Sequence, residues 1–183
     1  AVVAVRVPEA EKSMQELGAT ITTSGGDFTV EQLTNGDIND GPELALNKEG
    51  THAWIQYNFP KAVTIRSFTL VGGQVQGQFD PDRTYDNTLL CSQDGETWTE
   101  VIRVPSSNLE QITVDIPETT AKHFRLTVIN PKPDYSLIYY GAQVVIPTGT
   151  AIHEWKLNTI YKVNHAEEKA GFTTTGDRLT LLT

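Results

Sequence analysis

Leu90-Cys91-Ser92-Gln93-Asp94-Gly95-Glu96-Thr97-Trp98-Thr99-Glu100-Val101 reads as two short strands joined at an Asp-Gly turn. Asp-Gly between β-prone runs is hairpin chemistry, because glycine takes positive φ there at no steric cost. Trp98 stands three residues beyond the turn glycine. An indole at that distance folds back over its own hairpin, so Trp98, together with Trp54, is expected inside a sandwich core.

The flanking sequence repeats the strand signal. In Gln111-Ile112-Thr113-Val114-Asp115-Ile116 the apolar residues alternate with polar ones, as do Phe124, Leu126 and Val128 in the segment starting at His123. Such period-two alternation marks a strand with one buried face. Ile55, Tyr57 and Phe59 follow the same rule after Trp54, and Val63, Ile65, Phe68 and Leu70 follow it with a phase slip at Ser67 that predicts a bulge. Many short strands separated by turns predict an all-β fold, an antiparallel β-sandwich of jelly-roll type. Helix is expected only over residues 9–17, ended by Gly18, and in a turn over residues 29–33.

The 183 residues suit one generous sandwich with extra strands at its ends, and 38% hydrophobic against 20% charged residues is too apolar for disorder. A net charge of −9 with no dense Lys or Arg cluster makes nucleic acid and anionic membrane poor partners. A single cysteine, Cys91, excludes an internal disulfide and, among Leu89, Leu90 and Trp98, reads as a small hydrophobe rather than a catalytic thiol. No apolar run is long enough to span a bilayer as a helix, and the chain opens at Ala1 inside a strand-like stretch, which suggests a piece of a longer or processed polypeptide.

Two long segments between strands are compositionally odd: 72–87, with Phe79, Arg83 and Tyr85, and 130–140, with Pro131, Pro133, Tyr135, Tyr139 and Tyr140. Long loops on a rigid sandwich are where function concentrates. The expected organisation is an N-terminal flanking strand and short helix at 1–26, the sandwich at 27–147, and C-terminal flanking strands at 148–183. Trp155, outside the sandwich motifs, is expected at an interface toward another domain.

Four segments together resemble the galactose-binding-like sandwich shared by coagulation factor 5/8 C-terminal (discoidin) domains and family 32 carbohydrate-binding modules. They are Leu33-Thr34-Asn35-Gly36-Asp37, Trp54-Ile55-Gln56-Tyr57-Asn58-Phe59, Ser92-Gln93-Asp94-Gly95-Glu96-Thr97-Trp98 and His123-Phe124-Arg125-Leu126-Thr127-Val128, in family order over roughly residues 27–146. The two ends, Ala1-Val2-Val3-Ala4-Val5 and Val163-Asn164-His165-Ala166-Glu167-Glu168-Lys169-Ala170-Gly171-Phe172, are similar to stretches of family 106 glycoside hydrolases, the large bacterial α-L-rhamnosidases. The resemblance implies a non-catalytic, carbohydrate-binding module of a larger glycoside hydrolase, secreted or periplasmic. Its implied partners are an oligosaccharide or polysaccharide and the catalytic domain of the same polypeptide. The alternative is an accessory domain that packs against the catalytic domain and binds no sugar.

The resembled family also implies a structural calcium ion under the loop held here by Asn35, Asp37 and Asp40, since hard oxygen donors suit that ion. Two departures stand against it: the family's Thr-x-Trp after this loop is missing, and Gln143 replaces the acidic ligand of the last strand. The competing reading is a turn whose side chains cap local backbone groups. Sugar recognition needs flat rings and planar hydrogen-bonding groups on open loops, which makes Phe79, Arg83, Tyr85 and Tyr135 the candidates. The plain alternative is loop packing for each ring, and for Arg83 an ion pair with Asp80, Asp82 or Asp86. Catalytic constellations fail: there is no Gly-x-Ser-x-Gly elbow, and the four histidines lack metal-ligand spacing. Glu154, Glu167 and Glu168 are available carboxylates, but the Ala-Glu-Glu-Lys run reads as a solvated turn.

Overall fold

The computed structural model describes residues 11–46, 48, 50–73, 87–105, 107, 109–130 and 147–170. Their strands are β1 (Thr20–Thr23), β2 (Glu43–Ala45), β3 (His52–Gly72), β4 (Thr88–Ser92), β5 (Thr99–Arg103), β6 (Gln111–Ile129) and β7 (Gly149–Asn158), followed by one short helix, α1 (Ala166–Ala170). Every pairing is antiparallel.

β3 and β6 are long because each bends and serves both layers of the sandwich. The first half of β3 pairs with β1 and with the second half of β6, which in turn holds β4 and the β4–β5 hairpin. The second half of β3 pairs with the first half of β6 and with β7, whose far side carries β2. The register slips between Asn58 and Val63, where the strands turn, and again between Ile65 and Ser67. The second slip is the bulge that the broken alternation at Ser67 predicts, and it lets Phe68 and Leu70 return to the inward face.

The core follows the alternation. Ile55, Tyr57 and Phe59 meet Phe124, Leu126 and Val128 from one layer, and Phe68, Leu70, Ile112 and Val114 close it from the other, all buried. Trp155 on β7 is the largest fully buried side chain and lies 4.7 Å, ring centre to ring centre, from Tyr57. The Tyr57 hydroxyl donates to the Trp155 carbonyl oxygen at 2.7 Å, and burial, with the Glu154 charge second, pushes its pKa upward. Trp155 is therefore a centre of the core; the expectation of an interface residue is corrected by its position on a strand between β2 and β3.

The other indoles are corrected in the opposite sense. Trp54 and Trp98 are half-buried on the outer face of the β3–β6 layer, with the Arg125 guanidinium 4.2 Å and 3.9 Å from their ring centres. The cause is phase: Trp54 shares its face with Gln56 and Asn58, opposite to Ile55 and Tyr57. Gln56 Oε1 accepts from Arg125 Nε at 2.9 Å and from Nη2 at 2.7 Å, so the guanidinium is stacked on both faces and bound along its edge.

Near the N-terminus, residues 14–18 form a turn where a helix was expected; Ser13 caps it through Glu16, and Gly18, at φ 69°, ends it. The turn over residues 29–33 carries the same reciprocal cap between Thr29 and Gln32. No described helix is long and apolar enough to cross a membrane.

The C-terminal flank docks along the first half of β6, which among the described residues pairs on its other side with β3. Asn164 Oδ1 accepts from Asp115 N (3.0 Å), His165 N donates to Thr113 O (2.8 Å), and Glu167 accepts from Thr113 N, Thr113 Oγ1 and Gln111 Nε2 at 2.7–3.0 Å. His165 takes φ 52°, which bends the chain for this docking. Glu167 is thus buried and not part of a solvated turn, because its carboxylate accepts from the backbone N–H and hydroxyl of Thr113 and from the Gln111 amide on β6.

Candidate functional site

Phe79, Arg83, Tyr85 and Tyr135 lie outside the described residues, as does Gln143. The chain that carries them leaves and re-enters the described fold at four points, and these points are joined. Residues 74–86 depart after Gly73 and return at Asn87; residues 131–146 depart after Asn130 and return at Pro147. Asn87 is buried, and its Nδ2 donates to Gly73 O at 3.0 Å, tying the two feet of the first segment together. Asn130 is also buried, and its Nδ2 donates to Pro147 O at 3.2 Å, doing the same for the second.

One further bond links the two pairs. Ile129 N donates to Asn87 Oδ1 at 3.3 Å, so a single amide side chain holds the foot of one segment and the strand end feeding the other. Val104 N donates to Asn87 O (2.8 Å), Asn130 N donates to Thr51 O (2.9 Å) and Gly73 N donates to Ala151 O (2.7 Å), fastening three of the four feet to the ends of β5 and β3 and to β7. Gly72 and Gly73 have φ of 81° and 71°, a conformation that side chains other than glycine adopt only with strain. A Cβ on Gly72 would stand 2.4 Å from Ala151 O, so the strand exit also needs glycine for close approach. Both candidate-bearing segments therefore spring from the same end of the sandwich. Neither asparagine was singled out in the sequence; the available signal is an Asn at each point where an alternating strand meets a long insert.

The Asn35 turn behaves as a capped turn. Asn35 Oδ1 accepts from Asp37 N at 2.7 Å, Asp37 Oδ1 accepts from Asn39 N at 3.0 Å, and Gly36 supplies φ 81° between them. Asn35, Asp37 and Asp40 are all exposed, and among the described residues no three His, Cys, Asp or Glu side chains gather as a metal cluster.

The carboxylates weighed for hydrolysis are committed elsewhere. Glu154 is buried and held by Lys156 Nζ at 2.7 Å, and Glu167 is spent on the β6 edge; the Glu168 side chain lies outside the described residues. Cys91 is half-buried against the core, and burial pushes its thiol pKa up, which suits packing rather than nucleophilic chemistry.

Comparison with known proteins agrees with this architecture. A rhamnosidase from Novosphingobium sp. PP1Y is similar at 25% identity and a TM-score of 0.58, over 90% of this chain. The chain spans only 13% of the length of that enzyme. A carbohydrate-binding module of Clostridium perfringens, solved in complex with GalNAc-β-1,3-galactose, is similar in fold over 80% of this chain and 99% of its own, at 14% identity and a TM-score of 0.51. A pectin-binding carbohydrate-binding module matches 75% of this chain and 88% of its own at 18% identity and a TM-score of 0.50. No curated protein sequence matches the chain. The F5/8 type C domain model matches residues 17–139, the body of the sandwich from the first turn through both bent strands, and the chain belongs to that family.

Proposed function

We propose that this domain is a non-catalytic sugar-binding module of a larger glycoside hydrolase, with its ligand site on segments 74–86 and 131–146. The observation that carries the reading is the shared footing built by Asn87 and Asn130, which ties to one end of a rigid sandwich the feet of two aromatic segments, the first of them carrying Arg83. Phe79, Tyr85 and Tyr135 would stack on pyranose C–H faces, and Arg83 would bond ring hydroxyls. The solved carbohydrate-binding modules of this fold support the sugar, and the rhamnosidase supports the larger hydrolase.

The test is calorimetric titration with rhamnose- and galactose-containing oligosaccharides, followed by Tyr85→Ala and Arg83→Ala. Binding that either variant weakens about tenfold sustains the assignment, while silence across plant and bacterial glycans ends it. Calcium at Asn35, Asp37 and Asp40 is tested by melting the protein in calcium and in EDTA. The capped turn predicts equal midpoints, and a calcium-dependent rise removed by Asp37→Asn assigns the ion. A setting outside the cytoplasm, secreted or periplasmic, follows from the same reading and is tested by fractionating the parent bacterium.

A second reading, an accessory domain that packs on a catalytic neighbour without binding sugar, is favoured by one observation. Tyr161 and Val163, on the C-terminal flank, are 57% and 63% exposed. Lys162 between them pairs with Glu11 at 2.5 Å, so the two flanks meet at this apolar spot. Binding of oligosaccharide by the isolated chain, unaffected by Tyr161→Ser, decides for the first reading.

A further inference from the structure

Three places among the described residues set an Asn or Asp before a glycine: Asn35-Gly36, Asp40-Gly41 and Asp94-Gly95. At such a pair the glycine nitrogen, with no Cβ beside it, is unshielded and can attack the side-chain carbonyl carbon to close a five-membered imide. Whether the ring closes depends on space, on the leaving group and on what holds the reacting groups.

The three pairs differ on each count. A Cβ on Gly41 would stand 2.5 Å from His153 Cα and 2.6 Å from Ile152 O, so this glycine is pressed against β7 and has no room to turn. Asp94 presents a carboxylate that Thr97 N, Glu96 N and Ser92 Oγ hold in its ionised form, a poor electrophile without a ready leaving group. Asn35 presents an amide, in the one Asn-Gly pair of the whole chain. It is exposed together with Gly36 and Asp37, and a Cβ on Gly36 would meet nothing within 4 Å. Gly36 N donates no hydrogen bond among the described residues, so its proton is open to solvent base. Asp37 N donates to Asn35 Oδ1 at 2.7 Å. That oxygen takes the negative charge when Cγ is attacked, so the donor both polarises the amide and stabilises the tetrahedral stage. The buried asparagines Asn87, Asn130 and Asn158 are sealed from water and none precedes a glycine.

We propose that Asn35 is a self-modifying site that converts to aspartate and isoaspartate through a succinimide. Gly36 N gives its proton to solvent base and bonds to Asn35 Cγ; the Cγ–Nδ2 bond breaks, and the nitrogen leaves as ammonia with a proton taken from water. A water molecule then opens the imide at either carbonyl, and nothing is oxidised or reduced. A neutral amide becomes a carboxylate, so the net charge passes from −9 to one unit more negative. In the isoaspartate product the backbone runs through the former side chain, and Asp37 N loses its cap. The change stays within the turn, because Leu33 and Leu44 are buried on either side of it and Leu33 O accepts from Trp155 N at 3.0 Å. The chain therefore divides with time into charge forms that share one fold.

The test is incubation of the whole chain at neutral and at mildly alkaline pH, with ion-exchange chromatography for the charge forms and peptide mapping with isoaspartate methyltransferase for the site. Expected are acidic forms that grow faster at alkaline pH, with Asn35 converted ahead of every other asparagine and no more slowly than in a synthetic peptide of residues 30–38. Gly36→Ala shields the attacking nitrogen and should slow conversion about tenfold. Asn35→Gln, which would need a six-membered ring, should remove the acidic forms and leave the circular dichroism unchanged. Asn35 left intact after the peptide has converted, conversion led by another asparagine, or acidic forms that persist in Asn35→Gln would overturn the assignment.

Discussion

Trp155 and the Trp54–Arg125–Trp98 stack lie against the inner and the outer face of the same β3–β6 layer and hold it by different physics. Trp155 is sealed from water and packs on Tyr57 across the layers, while Trp54 and Trp98 stay half-exposed and grip a guanidinium. Inside, stabilisation scales with area removed from water and with the tightness of the jigsaw. Outside, it comes from a cation over two rings and from the planar fit of Gln56 to Arg125. An indole on a strand can therefore serve either face, and the residues in phase with it say which.

The sharpest test of this contrast is Trp155→Ala. Removing the largest buried side chain should cost about 3–5 kcal/mol, because the layers cannot fully collapse into the space it leaves. Urea unfolding followed by far-UV circular dichroism gives the number. A loss below that of the outer-face variant described next would invert the comparison.

Arg125→Ala addresses the outer face and should cost about 1–2 kcal/mol, the scale of a cation held over aromatic rings at a partly wet site. Burial lowers the Arg125 pKa from its ordinary value, yet the group stays charged throughout the working range. Trp54 and Trp98 should become wetter, so their emission should shift to the red, whereas Trp155→Phe should remove blue emission. Arg125→Lys should recover only part of the stability, since an ammonium cannot bond Gln56 through two parallel N–H groups. Full recovery by lysine would reduce the stack to simple charge.

Much of this was legible in the sequence. Alternation gave Ile112, Val114 and Ile116 on β6, Phe124, Leu126 and Val128 after its bend, and the slip at Ser67 that proved to be a register shift. The Asp-Gly hairpin formed between β4 and β5. The faces of Trp54 and Trp98 were misread although the signal was present, for Trp54 stands in phase with Gln56 and Asn58, and Arg125 out of phase with Phe124 and Leu126. Trp155 and Glu167 were harder. Tyr57 lies 98 residues from Trp155 and Thr113 lies 54 from Glu167, so only the closed topology reveals either partner. The buried asparagines at the feet of the two long segments were not legible, because a satisfied amide inside a fold looks like any loop Asn until its partners are known.

Tyr57→Phe separates packing from hydrogen bonding on the inner face. The ring is kept and only the hydroxyl bond to Trp155 O is lost, so the expected cost is about 1 kcal/mol, well under that of Trp155→Ala. A cost equal to Trp155→Ala would mean that the bond, and not the ring stack, joins the layers.

The smallest effect belongs to Asp94 at the hairpin tip, the outermost point of the region that carries Trp98. Its Oδ1 accepts from Thr97 N and Glu96 N, both at 2.8 Å, and from Ser92 Oγ at 2.9 Å, and these bonds pull its carboxyl down to about 2. A free aspartate titrates near 3.9, so the folded state prefers the ionised form. The contribution is complete above about pH 4 and is lost as pH falls toward 2. The difference in melting midpoint between the wild type and Asp94→Ala should therefore be constant from pH 7 to 5 and shrink between pH 4 and 2. Trp98 emission should follow it, because the turn sets where the indole meets Arg125. A difference that persists unchanged at pH 2 would mean that Asp94 acts through the shape of the turn rather than its charge, and the outer stack would then be independent of the hairpin's ionisation.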